Sequence, residues 1–269
     1  GLAFVLGHEI GHYAESHSLE RWNSTKGWLT VAAVVTLGAG LAGAYYQVDM
    51  TGVGDLIYLG ALSSVYGYGR GQEREADAIG LMRLSQAGYD PHVGAELWRG
   101  LQDETRASSF ASVRRSQASP SIFNTHPLTA ERVEALQNQA DALVSAGGRQ
   151  GRRERARYRA VIRPHLSAWL ADEHNRRDYG GLLTVIDSLA EDGEDLGVLQ
   201  FHRGEVYRQR REEGDAQRAR DAYRAASTHS DAPVAVWREL GDLEARLGDN
   251  VAAATAWRTY LEASPEADD

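Results

Sequence analysis

The sequence predicts a mainly α-helical protein in two parts. A helical metal-site domain is expected over residues 1–148, followed by stacked helix pairs over 149–269. Three observations predict this. His8-Glu9-Ile10-Gly11-His12 forms an H-E-x-x-H motif that continues the apolar run Leu2-Ala3-Phe4-Val5-Leu6. A second helical stretch, Arg70 to Gly80, carries carboxylates at Glu73, Glu75 and Asp77. The C-terminal part repeats small and aromatic residues at a spacing of about thirty-four, the period of a stacked two-helix unit.

The first element is a helix expected from Leu2 to Arg21. Residues four apart share a helix face, so His8 and His12 can turn ring nitrogens toward one ion. Glu9, one residue round from His8, would then reach a water at the ion's open position and serve as general base. Two core histidines on one helix are the alternative reading. His17, five residues past His12, lies about 140° off the metal face on a continuous helix and reads as structural.

The second element carries three carboxylates, Glu73, Glu75 and Asp77. H-E-x-x-H followed downstream by Glu73-Arg74-Glu75-Ala76-Asp77-Ala78-Ile79-Gly80 resembles the gluzincin endopeptidases typified by the CAAX prenyl protease and the heat-shock protease HtpX, and among them the BepA-like periplasmic members. The resemblance implies zinc held by His8, His12 and Glu73. It implies that Asp77, one turn on from Glu73, supports a zinc histidine from behind. Asn124-Thr125-His126-Pro127 with Arg132 is similar to a third family motif. It implies His126 as a regulatory fourth zinc ligand and Arg132 as a catalytic-site arginine, placed near the oxyanion or near a carboxylate. The family's zincin fold also implies a sheet before the first helix. The sequence opens inside an apolar helical run at Gly1, so that sheet portion is expected to be missing.

Between the two motifs lies an uncharged run, Gly27 to Val48, and a weakly charged one, Leu56 to Gly69. Their length would allow a membrane-spanning hairpin. Their glycine and alanine content suits helices that touch a membrane surface or pack on a missing N-terminal part, so contact through 27–69 is expected, with spanning left open. Beyond Glu73 the helix should stop near Gly88, with Tyr89-Asp90-Pro91 after it. Helices are expected over Pro91–Gln102 and Thr129–Ala146. The serine-rich stretch Thr105–Asn124 reads as a polar loop, either a lid near the site or disordered.

After Gly147-Gly148 comes an arginine run, Arg149, Arg152, Arg153, Arg155, Arg157, Arg159 and Arg163, which reads as a solvated helix face or as a surface for anionic lipid or an acidic client. Trp237, Leu240, Gly241, Gly248, Ala253, Trp257 and Pro265 follow the tetratricopeptide pattern, with Tyr260 where a small residue is usual. Gly204, Tyr207, Ala219, Tyr223 and Ala226 form a preceding unit with a longer turn, and Tyr158–Asn175 with Tyr179–Glu191 a third. Stacked pairs bury what one pair cannot and leave a groove for a partner.

A net charge of −9 argues against nucleic acid as a partner. The absence of cysteine excludes a thiolate zinc site and suits an oxidising compartment. The resemblance implies a zinc endopeptidase in the periplasm of a Gram-negative bacterium, membrane-associated or not, acting in protein quality control. Its expected substrates are misfolded or stalled outer-membrane proteins, and the repeats would recruit these clients or their assembly machinery. The alternative is a non-catalytic chaperone or assembly factor that binds through the repeats.

Overall fold

The computed structural model describes residues 1–17, 19–20, 69–116, 129–147 and 150–264, the helical backbone of 51–68, and isolated positions between 23 and 37. Among these residues the structure is helical with no strand; one isolated parallel bridge joins Tyr89 to Arg152. The helices are α1 (Leu2–Ala14), α2 (Thr51–Gln86), α3 (Val93–Ala107), α4 (Ala111–Ser116), α5 (Ala130–Ser145), α6 (Arg155–Arg176), α7 (Tyr179–Ala190), α8 (Leu196–Arg210), α9 (Asp215–Ala226), α10 (Ala235–Arg246) and α11 (Asn250–Ala263). The chain divides into two compact units, Gly1–Arg99 with Pro120–Arg153, and Gly100–Ser119 with Glu154–Asp269. The division falls inside α3.

In the first unit α1 lies against the C-terminal half of α2 at very close range. Phe4, Gly7, His8 and Gly11 are buried along one face of α1, at the i, i+3, i+4, i+7 spacing of a helix stripe. Glu73, Ala76, Asp77 and Gly80 form the matching stripe on α2, all of them buried. A Cβ on Gly80 would stand 2.9 Å from the backbone nitrogen of His8, and one on Gly11 would stand 3.0 Å from Ala76 Cα. These glycines let two backbones approach as no larger residue would.

α1 is shorter than the sequence suggests. It ends at Ala14, and Ser16 takes a left-handed φ of 57° that turns the chain back. α2 runs for 36 residues, so the stretch from Leu56 to Gly69 is the N-terminal half of the helix that carries Glu73, not a separate hairpin arm. It stops where expected: Gly88 is left-handed at φ 79°, the conformation glycine adopts without strain. No described helix is long and apolar enough to cross a membrane. Most of the run 27–48 lies outside the described residues. α5 is capped by Thr129, whose hydroxyl accepts from the backbone N–H of Arg132, and α5 packs on α2.

In the second unit, α6 to α11 form three successive helix pairs in which each helix packs on the next. Leu166, Leu170, Leu182, Ile186, Leu199 and Val206 make one core cluster. Ala219, Tyr223, Ala226, Val236, Leu240, Leu243 and Ala256 make the next. One device recurs inside successive pairs. A Cβ on Gly204 would overlap the Tyr223 ring, and one on Gly241 would overlap the Trp257 ring. Each ring then donates to the acid that follows its glycine, Tyr223 Oη to Glu205 Oε1 at 2.5 Å and Trp257 Nε1 to Asp242 Oδ1 at 3.0 Å. Tyr260, the departure from the repeat pattern, receives the Arg238 guanidinium 5.9 Å above its ring.

One expectation changes here and another gains detail. Part of the serine-rich stretch is helical and bound: α4 lies within it, Ser108 is buried, and Ser108 Oγ and Ser109 N donate to the Asp178 carboxylate that caps α7. The arginine run is exposed, as a solvated face should be, with Arg159 alone buried among its described members, but several of its guanidinium groups are paired. Arg153 pairs with Asp90 and Glu96, Arg159 is buried against Asp192 and the Leu189 and Glu194 carbonyls, and Arg163 pairs with Glu194 and Asp195. Acids just past α7 partner Arg155, Arg159 and Arg163.

Candidate metal centre

The crossing of α1 and α2 brings the motif residues to one point. His8 Nε2 and His12 Nε2 are 3.1 Å apart. His12 Nε2 is 3.3 Å from Glu73 Oε1, and His8 Nε2 is 3.5 Å from Glu73 Oε2. His8 and Glu73 are fully buried. Among the described residues these three form the one group of histidine, aspartate and glutamate side chains able to hold a metal ion together.

The group fits zinc on geometry and on donor chemistry. Ligand arms of about 2.0–2.1 Å in a tetrahedron put donor atoms roughly 3.3–3.4 Å apart, close to the separations found. Two imidazoles and one carboxylate leave the fourth position open, the pattern of catalytic rather than structural zinc. Glu9 follows His8 and is exposed where His8 is buried, so its side chain is on the solvent side of the pair.

Behind the ligands stands Asp77. Its Oδ1 is 3.0 Å from His8 Nδ1 and accepts from Trp98 Nε1 at 3.0 Å. Arg132 holds it with two N–H donors, Nε to Oδ2 at 2.7 Å and Nη2 to Oδ1 at 2.8 Å. Burial alone would raise the pKa of Asp77, but Arg132 and His8 outweigh it and hold the carboxyl below its ordinary value. Burial likewise disfavours the imidazolium of His8, and the Asp77 and Glu73 carboxylates overcome it, so the His8 pKa lies above its usual value. A raised pKa on a prospective ligand means that a cation must compete with a proton.

Arg132, the third motif's arginine, is buried and bound to carboxylates. Besides Asp77 it reaches Glu73 Oε2 with Nη1 at 3.1 Å, and its guanidinium lies 5.3 Å from the centroid of Trp98. Of its two expected positions, the structure places it at the carboxylates. His126 lies outside the described residues. Two participants escape the sequence reading. Trp98 on α3 belongs to no motif, and only its burial and its bond to Asp77 identify it. His17 returns through the turn at Ser16 to place Nδ1 at 2.9 Å from His12 Nδ1.

The profile of Peptidase family M48 matches residues 1–140. The chain is 29% identical over 143 residues to the beta-barrel assembly-enhancing protease of Yersinia pestis, covering 53% of this chain and 28% of that protein. It is 32% identical over 143 residues to the mitochondrial metalloendopeptidase OMA1 of Schizosaccharomyces pombe, covering 51% and 35%. It is 28% identical over 185 residues to a putative beta-barrel assembly-enhancing protease of Vibrio cholerae, covering 67% and 33%. The chain thus spans about a third of the length of these relatives. No solved structure matches it.

Proposed function

The chain belongs to peptidase family M48, and from that premise we propose that it is a zinc-dependent endopeptidase whose ligands are His8, His12 and Glu73 and whose general base is Glu9. The observation that carries the reading is the meeting of two buried imidazole Nε2 atoms and one buried carboxylate at tetrahedral spacing. When bound, zinc supplies a Lewis acid that polarises a scissile carbonyl and acidifies water. The protein's own groups do the rest. Asp77 keeps the proton of neutral His8 on Nδ1, so that Nε2 offers its lone pair inward. Arg132 holds Asp77 and one oxygen of Glu73, fixing both carboxylates without occupying the solvent side. Glu9 takes the proton from the attacking water and delivers it to the leaving amine.

The reading extends to the whole chain. Residues 1–148 form the peptidase domain and 149–269 a tetratricopeptide-like module, to which Gly100–Ser119 adds its helices. Support for the module is the recurring glycine, acid and aromatic device in consecutive pairs. The module recruits protein clients, and those clients are outer-membrane β-barrel proteins or their assembly machinery in the periplasm of a Gram-negative bacterium. Support here is the beta-barrel assembly role in the names of the bacterial relatives, together with a cysteine-free sequence. His126 serves as a regulatory fourth ligand.

Zinc content and casein hydrolysis test the core of the reading. The wild-type chain should carry about one zinc, Glu73→Ala should lose it, and Glu9→Gln should keep zinc while losing at least about a hundredfold in rate. Unchanged hydrolysis by zinc-loaded Glu9→Gln would sink the mechanism. In the same assay His126→Ala should raise basal cleavage, and no rise would remove the regulatory role.

A further inference from the structure

We propose that His17 is a positioning residue of the metal site, holding His12 in the tautomer that turns its Nε2 lone pair toward the ion. The inference rests on the zinc reading above and adds a residue outside its motifs.

The proton placement follows from geometry. His12 Nδ1 and His17 Nδ1 face each other at 2.9 Å, with the rings edge to face at 5.0 Å between centroids and 74° between planes. One of two facing nitrogens must donate and the other accept. His12 Nε2 points at His8 and Glu73, so a metal ligand there needs its lone pair, and the single proton of neutral His12 belongs on Nδ1. His17 Nδ1 is therefore the acceptor, and its own proton belongs on Nε2. That nitrogen is 3.4 Å from Glu75 Oε2, an acceptor. The order carboxylate, imidazole, imidazole, metal position then has no facing pair of protons and no facing pair of lone pairs.

The site thereby treats its two histidines alike by different means. His8 Nδ1 is held directly by buried Asp77, whereas His12 Nδ1 is held through His17 by Glu75, whose side chain is 56% exposed. The local chain is shaped for this contact. A continuous helix would carry position 17 away from the site, but Ser16 at φ 57° breaks it. Gln72, buried beside Glu73, donates from Nε2 to the His17 carbonyl at 3.2 Å and ties the turn to α2. His17 itself is buried. Residues on both sides of one ligand glutamate, Gln72 and Glu75, thus secure the support of another ligand.

The test uses the whole chain and Zn2+ alone, with a chromophoric chelator as competitor. His17→Leu should weaken zinc binding 10- to 100-fold, the range typical of such supporting partners, with unchanged helical circular dichroism. His17→Gln, whose side-chain carbonyl can accept from His12 Nδ1–H, should recover most of that loss. Glu75→Ala should weaken binding severalfold. Long-range proton–nitrogen NMR of the wild-type, zinc-loaded chain should show His17 protonated on Nε2 with Nδ1 bare; this decides the question even if His17→Leu does not fold. Wild-type affinity in His17→Leu, equal losses in the Leu and Gln variants, or a His17 proton on Nδ1 would each overturn the proposal. Failure of the zinc reading looks different, since the wild type itself would then bind no zinc that Glu73→Ala abolishes.

Discussion

Asp77 collects His8, Trp98 and two donors of Arg132 on one buried carboxylate. A group so bound cannot move without stranding several partners, which is how a site holds ligand imidazoles within the narrow tolerance that metal coordination needs. The same logic makes Arg132 critical for stability as much as for chemistry. Arg132→Met keeps length and apolar stem but leaves Asp77 and Glu73 as uncompensated buried charges. The expected cost is about 3–5 kcal/mol of unfolding free energy, read by urea denaturation of the metal-free chain. Zinc should recover part of that stability, because a cation restores charge balance beside Glu73. A loss below about 1 kcal/mol would mean that the site tolerates the unpaired carboxylates. The arginine was legible as a site residue from its motif, but its partners were not, because they lie on two other helices distant in sequence.

At the scale of elements, α1 and α2 form a site because glycine allows their backbones to touch. Gly80→Ala would press a methyl against the backbone at His8. Separation of the helices should then destabilise the chain by roughly 1–3 kcal/mol and lower zinc affinity at least tenfold, read by thermal unfolding and chelator competition. Undiminished zinc affinity would show that the crossing has slack. The repeat helices carry a second test. His174 on α6 and His202 on α8 are buried 5.5 Å apart, with Ser167 Oγ against His202 Nε2 and Glu205 and Arg208 nearby. Burial lowers both pKa values, that of His202 from 6.5 to about 4, with His174 adding to the effect. The unfolded chain therefore takes up protons below pH 6.5 that the folded chain refuses. Stability should be full above that pH and fall as pH drops toward 4, by roughly 3 kcal/mol for His202. His202→Phe should flatten the dependence of the urea midpoint between pH 6.5 and 4; an equally steep profile would assign the acid sensitivity elsewhere.

For the whole molecule, the boundary between the units decides where it can be cut. Arg152 and Arg153 belong to the first unit: Arg152 exchanges backbone hydrogen bonds with Gly88 and Asp90, and Arg153 binds Asp90 and Glu96. A chain ending at Arg153 should therefore bind zinc and cleave casein near the wild-type rate while losing its native client. A chain ending at Gln150 should melt several degrees lower, having lost those contacts. If the Arg153-terminated chain folds and binds zinc but no longer cleaves casein, the repeats contribute to catalysis rather than to recruitment. Ser108 and Ser109 complicate either cut, because their acceptor Asp178 belongs to the removed part of the second unit.

The sequence by itself determined the helical class, the placing of His8 and His12 on one helix face, and the helix pairs after residue 154, while Glu73 and Asp77 were joined to them only by the family resemblance. The first three are local or periodic signals: ligand spacing on a helix is set by 3.6 residues per turn, and repeat positions recur along the chain. Tertiary structure alone decided what surrounds them. Trp98 joins the site because α3 returns beside α2, and Arg155, Arg159 and Arg163 are paired because the acids at 192–195 fold back on them. His17 reaches His12 because one left-handed residue ends α1 early. No period or motif encodes such contacts, since each joins residues that approach only once the chain is packed.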